Sequence, residues 1–235
     1  MRWTCVAVVA GILAAALPST GGQLTADEPA APIRLFDGRS FAGWNGDIER
    51  IWRIENGAIA AGDTQKAAAR NEFLATDREF ENFELRYEYR IDAIENPNAG
   101  VQFRSRRIPD HHEVVGYQAD IGPGITGSLY DESRRRKFLA TAPKLLQEEA
   151  LAKATDGWNA CVVRCEGPRT TIAINGVETV DYTETDATVS RRGMIALQIH
   201  GGMIGTIRYR NIVVSELPKY PFTPRYDPSP EDAAR

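Results

Sequence analysis

The 235-residue chain has little cysteine, little histidine and no excess of positive charge. It carries three residues each of Cys, His and Met, and 28 basic against 32 acidic side chains, a net charge of −4. Without a basic excess there is nothing to neutralise a phosphate backbone, which argues against a general nucleic-acid binder. Long apolar runs are absent after the first twenty residues. There is no Gly-x-Ser-x-Gly for a serine hydrolase of the nucleophile-elbow type. There is also no Glu-x-Asp-x-x-Glu run to supply the paired carboxylates of a retaining jelly-roll glucanase; Glu88, Asp92 and Glu95 have the wrong spacing. No internal repeat is visible, which excludes a propeller or solenoid. The 43% apolar and 26% charged composition is that of a globular chain, not a disordered one.

The chain begins with Arg2, an uncharged apolar run from Val6 to Leu17, and then Ser19, Thr20, Gly21 and Gly22. This order predicts a cleaved secretory signal over residues 1–22, too short for a comfortable membrane span. The mature chain is then expected in the periplasm or secreted, with no membrane insertion. Residues 23–32 read as a linker and residues 218–235, with five prolines, as an extended tail. Cys161 and Cys165 lie four apart in one predicted strand. About 13 Å would separate their Cα atoms at ~3.3 Å per residue, too far for a disulfide. Their shared parity puts both on one face, and a metal site from this pair has no third ligand nearby.

Residues 33–217 read as one all-β domain. Segments of period-two alternation recur, among them Phe83–Ile91, Ala99–Ser105, Val114–Ile121, Gly193–His200 and Gly205–Ser215. Asn56-Gly57 and Asn175-Gly176 predict tight type I′ hairpins. One helical stretch, Pro143–Ala154, is expected as a short surface helix in an insertion. The expectation is a two-sheet antiparallel β-sandwich.

Parity then separates two faces. Phe83, Leu85, Tyr87, Tyr89 and Ile91 oppose Glu84, Arg86, Glu88 and Arg90, which suits a solvated face with cross-strand ion pairs. Elsewhere Gln118, Asp120, Gln198 and His200 share the polar parity of their strands, and Arg104 that of its own. Amides with one carboxylate and one imidazole offer the mixed donors and acceptors that sugar hydroxyls require. Asn98 in the tight Asn96–Gly100 connection, and Tyr130 and Asp131 in a glycine-rich segment, are further candidate contacts. Trp44 and Trp52 fit either core packing or sugar stacking. Arg134 to Lys137 fits a solvated basic loop or a contact to an anionic substrate.

Nine segments, in order, resemble one family. LFDGRSFAGW (35–44), ENFELRYEYRI (81–91), NPNAGVQFRS (96–105), GYQADIG (116–122), GSLYDESRR (127–135), WNACVV (158–163), INGVETVDY (174–182), GMIALQIHGG (193–202) and IRYRNIVVSEL (207–217) are similar to the motifs of the 3-keto-disaccharide hydrolase family. The sequence departs from the family's commoner Tyr-Glu-x-Gln pattern: Gln118 and Asp120 stand at the Glu and Gln positions. The resemblance implies a concanavalin-A-like jelly roll. It further implies cleavage of 3-keto-glycosides, with a sugar 3-dehydrogenase as functional partner supplying the ketone.

That chemistry needs a base for the C2 proton and a stabiliser for the enolate. His200 is a candidate base, because imidazole ordinarily titrates near neutrality. Asp120 could be the base, orient His200, or ligate a divalent cation together with it. Arg104, or such a cation, could stabilise the enolate. No cofactor is otherwise implied. Gln118, Gln198, Asn98, Tyr130 and Asp131 would bind substrate. A structural role for His200, an ion-pair role for Arg104 and a non-catalytic, lectin-like module are the rival readings, since fold does not decide function.

Overall fold

A computed structural model describes Met1 and residues 31–219. The expected signal, most of the linker and most of the tail lie outside the described residues. Fifteen strands and one helix are present among the described residues. The first six strands are β1 (Ile33–Arg34), β2 (Trp44–Asn45), β3 (Trp52–Glu55), β4 (Ala58–Ala61), β5 (Glu72–Phe80) and β6 (Phe83–Glu95). Then come β7 (Ala99–Arg107), β8 (Val114–Ile121), β9 (Leu129–Glu132) and β10 (Lys137–Ala140). Helix α1 (Lys144–Leu151) precedes β11 (Asn159–Glu166), β12 (Arg169–Ile174), β13 (Val177–Thr183), β14 (Gly193–Ile199) and β15 (Ile204–Glu216).

Two antiparallel sheets result. One runs β13-β12-β11-β6-β15-β4-β3, with β1 paired to β15; the other runs β10-β9-β8-β7-β14-β5-β2. Their inner faces carry the expected alternate residues. Leu85, Tyr87, Tyr89, Ile207 and Tyr209 from the first sheet meet Val101, Phe103, Tyr117, Ile195 and Leu197 from the second, all essentially inaccessible to solvent. Cys161 and Cys165 are free and buried in this layer, and burial pushes the Cys161 thiol up to about 12. Trp44 and Trp52 are core residues; the Trp44 indole donates to the Leu35 carbonyl at 2.7 Å. Both Asn-Gly turns have positive φ at each central residue (50° and 75° at Asn56-Gly57, 50° and 81° at Asn175-Gly176), as type I′ requires.

The outer face of the eight-stranded sheet is ionic. Arg86–Glu84, Arg164–Glu84, Arg210–Glu88 and Arg208–Asp92 pair along and across strands. Helix α1 buries Gln147 and Ala150 and packs the part-buried Leu146 against the core, while Leu145 and Leu151 face outward; its inner side lies against β12 and β13. The strands β1, β2, β9 and β10 carry no clear alternation in the sequence, being two to four residues long.

One interruption shapes the seven-stranded sheet. Between Phe103 and Arg106 the β7–β8 register shifts, and Arg104 takes φ +47°. Such a bulge adds a residue to one strand and bends it. Beyond it the β7–β8 hairpin folds across the outer face of its own sheet. Val114 joins Phe73, Ala75, Met194 and Ala196 in a second apolar cluster. Arg107 reaches the Phe73 carbonyl at 3.2 Å and Asn45, and Asn71 bonds Glu113 at the hairpin tip. Gly193 allows the close approach: a Cβ there would lie 2.4 Å from the Ser105 carbonyl oxygen.

The Tyr209 hydroxyl, from the eight-stranded sheet, lies across the core 2.8 Å from the Gln198 carbonyl and 3.1 Å from that of Gly100. These two residues face each other in the β14–β7 ladder. Tyr209→Phe should keep the fold but cost about 1–2 kcal/mol, the scale of a buried hydrogen bond lost with its acceptor left behind. Urea unfolding of the two proteins checks this; equal midpoints would show that the contact contributes nothing.

Candidate functional site

The outer face of the seven-stranded sheet holds two adjacent polar rows. Phe73, Gln198, Gly100 and Asp120 lie side by side across β5, β14, β7 and β8. Ala75, Ala196, Gln102, Gln118 and Tyr130 form the neighbouring row. Gly100 has no side chain, and Gln118 occupies the space: a Cβ at Gly100 would stand 2.6 Å from the Gln118 carboxamide carbon. Gln118 therefore leans over Gly100 towards Asp120.

A chain of side-chain hydrogen bonds follows. Ser105 Oγ donates to Gln102 Oε1 (2.9 Å), Gln102 Nε2 to Gln118 Oε1 (2.6 Å), and Gln118 Nε2 to Asp120 Oδ1 (2.5 Å). All four residues are buried. Burial raises the Asp120 pKa most; the Gln118 bond lowers it and the Glu132 carboxylate raises it, leaving it at about 7. Glu132 is itself raised, by burial and then by Glu113.

His200 follows β14 directly. Its Nδ1 lies 2.7 Å from the Gly201 carbonyl oxygen. A carbonyl only accepts, so Nδ1 carries a proton, and in the neutral ring Nε2 then keeps its lone pair. The turn is pinned by Gly201 N–H donating to Asn71 Oδ1 (2.9 Å), while Asn71 Nδ2 donates to Glu113 Oε1 (3.0 Å). Thus the folded-over hairpin tip holds the loop that orients the imidazole.

Asp120, Gln118, His200, Asn98, Tyr130 and Glu132 line one cleft of about 270 Å³, with Ile125 and Phe138 as apolar wall. That is near the lower bound of small-molecule sites, about 300 Å³. Tyr130 and Phe138 pack edge-on, with ring centroids 5.1 Å apart. Amide and hydroxyl groups beside a half-exposed aromatic pair suit a sugar ring.

Three expected members stand elsewhere. Arg104 is not in this cleft. The bulge breaks the parity on which its placement rested, and its guanidinium instead donates to the Glu81 carbonyl (3.0 and 2.8 Å) and to Asn82. Asp131 faces the opposite way from Tyr130, fully buried and ion-paired with Arg134 and Arg135; it is a strut of the β9–β10 turn. Gln198 has the expected parity, but is fully buried and does not line the cleft, with neither amide atom bonded to a described residue. Asp120 and His200 make no direct bond, so Gly201, not Asp120, orients the ring.

The sequence names Glu132 beside Tyr130 and Asp131 without giving it a role, and leaves out Asn71 and Glu113. Glu132 shares the parity of Tyr130, and period two alone would have given it one. Asn71 and Glu113 come from loops, where no periodicity operates. A cation held by Asp120 and His200 fits this donor set poorly. Two donors are too few, and among the described residues no group of three or more His, Cys, Asp or Glu could hold a metal.

A profile described as a 3-keto-α-glucoside-1,2-lyase-like domain matches residues 31–215. Among curated proteins no sequence matches significantly. Two Parabacteroides distasonis proteins described as candidate glycosyl hydrolases are structurally similar. One has TM-score 0.60 and 20% identity, covering 80% of this chain and 100% of that one; the other has TM-score 0.59 and 16% identity, covering 80% and 94%. A Bacillus subtilis protein with a galectin-like fold has TM-score 0.58 and 12% identity, covering 82% and 99%. At these identities the structural likeness establishes the fold, a two-sheet jelly-roll sandwich.

The raised Asp120 pKa has a consequence for stability. A carboxyl whose folded pKa lies above its unfolded value stabilises the fold below about pH 4 and loses that contribution as pH rises through about 7. Asp120→Asn should therefore gain on wild type between pH 4 and pH 8, by at most about 4 kcal/mol at ~1.4 kcal/mol per pKa unit. Urea unfolding at both pH values measures the gain. A difference that does not change with pH would mean that Asp120 titrates as an ordinary surface carboxyl.

Proposed function

Since the chain belongs to the 3-keto-α-glucoside-1,2-lyase-like domain family, we propose that the Asp120–His200 cleft cleaves 3-keto-glycosides by removing the C2 proton. One observation carries the reading: an imidazole with its proton fixed on Nδ1 shares a cleft with a carboxyl that titrates near neutrality.

His200 Nε2 takes the proton from C2, which the adjacent ketone acidifies. The C–H electrons form the C2–C3 double bond of the enolate and the carbonyl electrons move to oxygen. Asp120, in its protonated form, donates a hydrogen bond to that oxygen, as a carboxylic acid kept neutral by its surroundings can do. The enolate then collapses. The ketone re-forms, a C1–C2 double bond forms, and the C1–O bond to the leaving group breaks. The departing oxygen takes the proton from the imidazolium. Addition of water at C1 by the reverse sequence gives net hydrolysis. Asn98, Gln118 and Glu132 would hold hydroxyls, with Tyr130 against the ring. Arg104 is too far removed in the fold to serve the enolate. The proposal includes export of the chain and a sugar 3-dehydrogenase that supplies the ketone.

Purified protein should turn over 3-keto-glucosides, with chelator and without. His200→Ala and Asp120→Asn should each lower turnover by ~10²-fold or more, the scale of losing a general base or acid. Activity should fall as pH rises through about 7, because Asp120 must keep its proton. Saturable sugar binding with no turnover would replace this reading with a lectin-like one.

A further inference from the structure

A second and larger cleft, about 730 Å³, opens on the same sheet beyond the bulge, between the β7–β8 hairpin, the β9–β10 turn and the β13–β14 loop. Four arginines line it, Arg104, Arg106, Arg134 and Arg192, against two carboxylates, Glu79 and Asp186. Arg192 is paired with Glu79 at 3.2 Å. Arg134 is paired with Asp131 and lies over the Tyr117 ring at 4.8 Å. The other two cations have no such partner. Arg106 is exposed and makes no hydrogen bond or ion pair with the described residues. Arg104 is the telling one, with only 3% of its surface exposed.

The partners of Arg104 among the described residues are all neutral, the Glu81 carbonyl and the Asn82 side-chain oxygen. Burying a guanidinium without a counter-charge costs several kcal/mol. Its backbone, at φ +47°, is also in a conformation that non-glycine residues adopt at a cost. Both costs fall on a residue that lines the cleft, and its Nη1 makes no bond to the described residues. An arginine held firmly on one edge and free on the other is built to present N–H donors to an oxyanion.

We propose that this cleft binds an oxyanion, a carboxylate, sulfate or phosphate group, between Arg104 and Arg106, with Arg134 as a flanking contact. Neither Asp120 nor His200 lines this cleft.

Sulfate titrated into the full chain at constant ionic strength, followed by ¹⁵N–¹H spectra, tests this. Saturable shifts are expected at the amides of Ser133, Thr188 and Ser190, which border the cleft. Arg106→Gln should weaken sulfate binding about tenfold, the scale of one charge-assisted bond. Its melting temperature without sulfate should be unchanged, because Arg106 is exposed and unbonded. Arg104→Gln should abolish binding; should that variant fail to fold, Arg106→Gln still decides. Glucuronate and glucose distinguish the source of the anion. Glucuronate binding tighter than sulfate identifies a sugar-borne carboxylate, and sulfate binding tighter identifies a free or esterified inorganic anion. Equal binding of glucose and glucuronate, undiminished sulfate affinity in Arg106→Gln, or shifts confined to the Asp120–His200 cleft would each overturn the proposal.

Discussion

The bulge in β7 is the constraint on which both clefts depend. An uninterrupted strand would place Arg104 on the outer face beside Gln102 and continue the hairpin in the plane of the sheet. The extra residue instead turns Arg104 towards the Glu81 carbonyl and moves Ser105 into the outer-face position. The hairpin then crosses the sheet and buries Val114 against Phe73 and Ala196. A positive φ at a non-glycine residue costs of order 1 kcal/mol or more, but the second apolar cluster and the Arg107 and Asn71 contacts offset it. The bend also delivers Glu113 to Asn71, which fixes the turn that holds His200. A local backbone irregularity thereby sets the tautomer of a side chain nearly a hundred residues away in sequence.

Burial by the hairpin explains why the outer face is not an ordinary solvated sheet. The eight-stranded sheet exposes its polar face and fills it with arginine–carboxylate pairs, where water screens each charge and each pair contributes little. The seven-stranded sheet covers its polar face and fills it with amides. A covered amide needs a partner; that of Gln198 bonds to no described residue, whereas Gln102, Gln118 and Asp120 supply one another in a chain. At its open end stands a carboxyl with too little water and a second carboxylate, Glu132, nearby. That environment, not any one contact, makes Asp120 an acid available at neutral pH.

How much of this the sequence revealed follows from which physical rule each part obeys. Sheet class, the long strands and the inward faces follow period two and were legible, as were both Asn-Gly turns. Asp120, Gln118 and His200 were found by the same rule and Tyr130 from its glycine-rich segment, and the structure brings them together with Asn98. Arg104 was misplaced because a bulge inverts parity without leaving a glycine or proline to mark it. Asp131 was misassigned because β9 is too short to show alternation, although Tyr130 and Glu132 straddle it. Asn71 and Glu113 were out of reach: their place depends on a hairpin folding back over its own sheet, a tertiary event with no local sequence signal.

The polarity of the amide chain closes the connection between the two clefts. Ser105 Oγ lies 2.9 Å from Gln102 Oε1 and 3.0 Å from the Phe103 carbonyl oxygen, and from Gln102 the chain runs on through Gln118 to Asp120, each amide nitrogen donating to the next oxygen. Ser105 also lines the arginine-rich cleft. One residue placed by the bulge therefore stands at the edge of one site and at the head of the hydrogen-bond chain that ends in the other.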